Sequence, residues 1–101
     1  MEGIAEAAGL ALRRARTANG LTLREVVRRS NGIFKASTVA AYERGERAIS
    51  LQRFCDLAGV YGIAPELLVG EIMNTLRRGL DLVIDLTGDE LDPVSGAPQG
   101  G

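Results

Sequence analysis

Apolar residues return every three or four positions along most of this chain, the spacing that lines one face of a helix. Ala8, Leu12 and Ala15 carry that spacing through a first predicted helix from Ile4 to Asn19, and Gly20 follows as a favoured residue just past a helix end. Thr22 and Glu25 have the spacing of a capping box, so a second, short helix starts there with Leu23, Val26 and Val27 as its stripe. Ser30, Asn31 and Gly32 break the pattern. A third helix is predicted from Ala36 to Arg44, with Val39 and Tyr42 turned inward and Gly45 as its stop. Ser50 caps a fourth, whose face is read as Leu51, Phe54, Cys55 and Ala58, with Gly62 beyond its end. Pro65 and Glu66 open a fifth; Arg77 and Arg78 suit its C-terminus before Gly79, and Gly70 is an interior weak point costing about 1 kcal/mol against Ala.

Past Gly79 the pattern is ambiguous. Leu82, Val83 and Ile84 suit a short strand, a continued helix or a contact between two copies, so residues 80–86 stand as a separate apolar segment. From Thr87 on, Gly, Asp, Glu, Pro, Ser and Gln dominate, and residues 87–101 are expected to be a disordered tail. With 101 residues, of which 46% are apolar and only 4% aromatic, the core must come from Leu, Ile, Val and Ala. That points to an all-α fold in one domain over residues 1–79.

Several chemistries drop out. The sequence has one cysteine, Cys55, and no histidine, so an internal disulfide and a Cys/His zinc site are excluded, and Cys55 is read as core. Tyr42 and Phe54 are also read as core. No uninterrupted apolar window of about 18 residues and no secretory pattern occur, so a cytoplasmic protein without membrane contact is expected. No Gly-rich phosphate loop and no paired carboxylates in the folded part support acid, base or nucleophile roles; neither an enzyme nor a cofactor is expected.

Net charge is -1, but it is divided. Met1–Cys55 holds ten basic and five acidic residues, and Asp56–Gly101 holds two basic and eight acidic ones. A basic half with clustered arginines suits phosphate contact, and an acidic half limits nonspecific binding.

The strings "LRRARTANGLTLREVVRRS" and "STVAAYERGERAISLQRFCDLAGVYGIAPELL" resemble the phage-repressor and Xre-type helix-turn-helix family over about Gly9 to Leu68. "YERGER" is the most diagnostic part, with "GLT" before the second helix. Within that family the enlarged "NGIFKAS" turn, "YERGERA" and "LVIDL" are most similar to BldD-like regulators of actinobacteria. The resemblance implies a five-helix repressor-like domain whose third helix enters the major groove of double-stranded DNA. It also implies that Arg16 and Glu43 form an internal ion pair. Lys35, Ala36, Ser37, Thr38 and Ala41 are the candidates for base contact, because they start the third helix away from Val39 and Tyr42. Arg24, Arg28, Arg44, Arg47 and Arg53 are the candidates for phosphate contact.

The chain also departs from the family. Leu23 stands where many relatives have Gln, and Ala36, Ala40 and Ala41 stand where repressors often place amides, so direct base readout is sparse and DNA shape must contribute. BldD-like regulators carry a further domain that binds cyclic di-GMP, and this chain stops about where it would begin. Arg78 and Asp81 have the spacing of half of that nucleotide site, yet cyclic di-GMP is not an expected ligand. A regulator of transcription acting as a homodimer on DNA is the leading expectation. The alternative is an antitoxin-like or adaptor module that binds a protein partner, with the C-terminal segment becoming ordered on binding.

Overall fold

The computed structural model describes the backbone of residues 3–87 and the side chains of residues 3–79. The described residues form five helices in the order α1 (Ile4–Ala18), α2 (Leu23–Arg29), α3 (Ala36–Glu43), α4 (Leu51–Tyr61) and α5 (Pro65–Thr87). Their starts follow local chemistry. The Thr22 hydroxyl accepts from the Glu25 N–H at 3.1 Å, while the Glu25 carboxylate accepts from the Thr22 N–H at 2.9 Å, which satisfies two otherwise free donors of α2. Ser50 satisfies one such donor of α4, its hydroxyl accepting from the Arg53 N–H at 3.1 Å.

Each helix buries one stripe. Leu12, Val26, Val39, Leu57 and Leu68 come one from each helix and are fully buried, so every helix reaches a common core. That shared core is what holds two helices as short as α2 and α3, which are marginal alone. α1 packs against both α3 and α5. Gly9 permits the first of these contacts: a Cβ there would collide with the carbonyl oxygens of Tyr42 and Glu43, backbone atoms with no freedom to yield. Gly45, at φ 73°, ends α3 in a left-handed turn and lets the chain pass close to Glu6.

The structure corrects two readings. Cys55 is exposed rather than core, and Leu51 on the same side of α4 is 76% exposed. The face that α4 buries is Phe54, Leu57, Ala58 and Tyr61, a stripe rotated away from Leu51 and Cys55. Gly79 does not end α5, which continues unbroken to Thr87, so residues 80–86 are helical and not a strand. Sequence spacing accounts for this: Leu68, Ile72, Leu76, Leu80 and Ile84 recur at intervals of four, keeping a helical register across Gly79. The expected disordered tail lies, past Thr87, outside the described residues. No described helix is long and apolar enough to cross a membrane.

Candidate nucleic-acid interface

The connection between α2 and α3 is set by one buried polar side chain. Ser30 is buried; its hydroxyl donates to the Val27 carbonyl at 2.9 Å and accepts from the Phe34 N–H at 3.2 Å. Between these anchors Asn31 and Gly32 take positive φ values of 55° and 79°, which reverses the chain. Phe34 drops into the core as a result, while its neighbour Ile33 is left exposed. Neither Ser30 as an anchor nor Ile33 as a surface group stood out in the sequence, because both sit in a segment without periodicity.

α3 therefore begins at a fixed place. Lys35 is its N-cap and gives no side-chain cap, and the Ser37 and Thr38 hydroxyls make no hydrogen bond among the described residues, so neither serves as a cap. Lys35 and Ser37 are exposed; Ala36, Thr38, Ala40 and Ala41 are half-buried; Val39 and Tyr42 are buried. The exposed side of the first turn thus offers one cation and two free hydroxyls among small side chains.

At the other end of α3 the charges are tied inward. Arg16 of α1 grips Glu43 with Nε at 2.6 Å and Nη2 at 3.0 Å, and its Nη1 donates to the Leu21 carbonyl at 2.8 Å. Their side chains are only 13% and 7% exposed. The hydrogen bond to Glu43 is the main reason the Arg16 guanidinium is held still more firmly protonated than usual. Nearby, Tyr61 is buried with a hydroxyl that no described group reaches. Burial chiefly, and the Glu43 charge secondarily, push that hydroxyl well above the ordinary tyrosine value. Acid–base chemistry is out of its reach near neutral pH.

The five arginines read as phosphate contacts fall into two groups. Arg28 lies 3.7 Å from Glu25, and Arg44 lies 2.9 Å from Glu46, so both have a carboxylate neighbour. Arg24, Arg47 and Arg53 have no carboxylate within 4.0 Å among the described residues. Arg47 lies 5.9 Å from the Tyr42 ring centroid, and Arg53 lies 5.4 Å from that of Phe34. These two arginines, Lys35 and Thr38 line one polar pocket of about 260 Å³ with Ile33, Phe34 and Tyr42. Arg24, Arg28 and Arg44 are outside it. A second depression, lined by Ile4, Ala8, Leu51, Phe54, Val69, Ile72 and other apolar side chains, contains no acid, base or nucleophile. Among the described residues no three His, Cys, Asp or Glu side chains cluster as metal ligands.

No curated protein matches the chain. Two solved structures do. The S. venezulae BldD DNA-binding domain is 44% identical with a TM-score of 0.59, covering 63% of this chain and 93% of that one. A crystal structure of the DNA-binding domain of BldD is 41% identical with a TM-score of 0.63, covering 67% of this chain and 96% of that one. Residues 7–69 match the family described as a helix-turn-helix domain, a span that runs from α1 into α5 and includes the whole turn and α3. The chain belongs to the helix-turn-helix domain family, with a fold resembling the DNA-binding domain of BldD.

Proposed function

We propose that this protein is a double-stranded DNA-binding transcriptional regulator that lays α3 in the major groove, residues 1–79 forming the binding unit. The observation that carries this reading is the first turn of α3: free hydroxyls on Ser37 and Thr38 stand beside a pocket holding three cations without carboxylate partners. Hydroxyls are short donor-acceptors that reach base edges, and Ala36 and Ala41 are small enough to let the groove floor approach and to meet thymine methyls. Lys35 stands where a base edge or a phosphate comes within its reach. Arg24, Arg28, Arg44, Arg47 and Arg53 supply charge to the backbone, which sets register and affinity without reading sequence.

One such unit covers a single half-site. Two copies on a two-fold operator, half-sites about 34 Å apart, is the arrangement that gives the affinity regulators need. A DNA target carries a cytoplasmic location with it. No reaction is proposed.

The experiment is a titration of the protein with an operator duplex and a scrambled duplex at several salt concentrations. Binding to both that weakens steeply with salt, tighter to the operator, is the expected result. Absence of binding to either duplex at low salt overturns the reading and leaves the protein-partner alternative.

A further inference from the structure

We propose that Lys35, Arg47 and Arg53 form one preorganised pocket for a single backbone phosphate of duplex DNA, with Phe34 and Tyr42 as the positioning residues that hold the two guanidinium groups. This rests on the DNA-binding reading above and moves Lys35 from the base-reading set to the phosphate set.

The three cations come from three separate places: Lys35 caps α3, Arg47 follows Gly45 in the loop beyond α3, and Arg53 lies in the first turn of α4. They converge on one pocket of about 260 Å³. None has a carboxylate within 4.0 Å among the described residues, although Arg44, three positions before Arg47, has Glu46 at 2.9 Å. Three like charges around a small polar space repel one another unless an anion lies between them.

What keeps the arginines there is aromatic. Arg53 is 5.4 Å from the Phe34 centroid and Arg47 is 5.9 Å from that of Tyr42, within the roughly 6 Å over which a ring face attracts a cation. Phe34 is 3% and Tyr42 7% exposed, so both rings are fixed by the core and the Phe34 backbone is pinned by Ser30. Neither the Arg47 nor the Arg53 side chain donates a hydrogen bond or has a carboxylate within 4.0 Å among the described residues, so their guanidinium N–H donors remain free for phosphate oxygens. A carboxylate partner would consume those donors; an aromatic platform orients the group and spares them. The entropy of ordering two long side chains is thereby lowered before DNA arrives.

The test uses the full chain with operator and scrambled duplexes across a salt series. Each phosphate neutralised contributes nearly one unit to the slope of log affinity against log salt. The double variant Arg47→Ala with Arg53→Ala is expected to lower that slope by about one unit, because the pair holds one phosphate; a drop of about two units overturns the shared pocket. Lys35→Ala is expected to weaken both duplexes alike, and a narrowed gap between operator and scrambled DNA returns Lys35 to base reading. Arg53→Lys keeps the charge but loses the planar fork, and is expected to bind about three- to tenfold more weakly with nearly unchanged slope. Tyr42→Phe keeps the ring face and is expected to bind as the unmodified protein does, while Tyr42→Leu loses affinity only when Arg47 is present. An equal effect of Tyr42→Leu in the Arg47→Ala background makes Tyr42 merely structural and overturns its positioning role. If the unmodified protein binds no duplex, the DNA reading fails on its own. Inorganic phosphate then probes the pocket, and unmoved Arg47 and Arg53 side-chain NMR signals overturn that too.

Discussion

α3 has two sides that use arginine in opposite ways. On the side packed against α1, Arg16 is sealed against Glu43, spending all three kinds of guanidinium nitrogen on Glu43 and on the Leu21 carbonyl. On the side of the polar pocket, Arg47 and Arg53, which follow α3 in the chain, lie near the rings of Tyr42 and Phe34, exposed, with no carboxylate within 4.0 Å among the described residues. One helix thus joins a seam where every charge is satisfied to a surface where charge is held ready. The difference shows that an arginine's role follows from what occupies its donors and not from its place in a basic cluster. Partnered and buried charge fixes the angle of α3; unpartnered charge is what we propose meets DNA.

The seam should therefore govern stability and leave binding alone. Glu43→Ala strands the buried Arg16 charge, and a loss of about 3 to 5 kcal/mol is expected in thermal or denaturant unfolding. Arg16→Met combined with Glu43→Leu should recover most of that loss, since an apolar pair of similar size carries no desolvation penalty. At a temperature where this double variant is folded, its DNA affinity should match the unmodified protein's; a changed affinity would erase the division between seam and surface. Gly9→Ala attacks the same seam through backbone, forcing α1 and α3 apart where Tyr42 and Glu43 carbonyls leave no room. A cost of about 3 kcal/mol is expected from overpacking. A cost under about 1 kcal/mol would mean that the two helices slide easily.

Much of the seam was legible in the chain and much of the surface was not. Thr22 with Glu25, Ser50 and Gly62 mark helix ends through interactions three residues apart, so sequence suffices to place them. Cys55 was misread because Leu51, Phe54, Cys55 and Ala58 share helical spacing with the true stripe of Phe54, Leu57, Ala58 and Tyr61. Only the neighbouring helices decide which of two overlapping stripes is buried. Gly79 was misread for a related reason: a glycine in helix costs about 1 kcal/mol, too little to stop a register that continues on both sides. The resemblance covers the family's fold, but the meeting of Phe34 with Arg53 spans a turn and a helix, and no spacing announces it.

A smaller effect is expected at Tyr61, on the edge of the seam. Its hydroxyl is buried beside the Arg16 and Glu43 charges and no described group reaches it. Removing a buried hydroxyl without a partner relieves its desolvation cost, so Tyr61→Phe should be neutral or stabilising by up to ~1 kcal/mol. A loss of ~1 kcal/mol or more in unfolding measurements would show that the hydroxyl belongs to the satisfied network of the seam.

The smallest effect concerns Glu25, a charge that is neither sealed nor held ready. The Thr22 backbone N–H, first, and then the Thr22 hydroxyl hold its carboxyl below the usual carboxylate range, with Arg28 and Arg29 adding a little. Because the folded value is depressed, the unfolded chain takes up the proton more readily. The capping contribution is therefore complete above the ordinary glutamate value and is lost as pH falls through the folded one. An NMR titration of the unmodified protein should find Glu25 protonating below the ordinary glutamate range. Thr22→Ala removes the hydroxyl but keeps the backbone donor, so the midpoint should move up only part of the way, and α2 amides should exchange somewhat faster. A midpoint that rises fully to the ordinary value would make the hydroxyl the dominant donor. A midpoint already ordinary in the unmodified protein would mean that the capping box is not formed in solution. The start of α2 would then be held by core packing alone, while Ser30 at its other end would still fix the turn into α3.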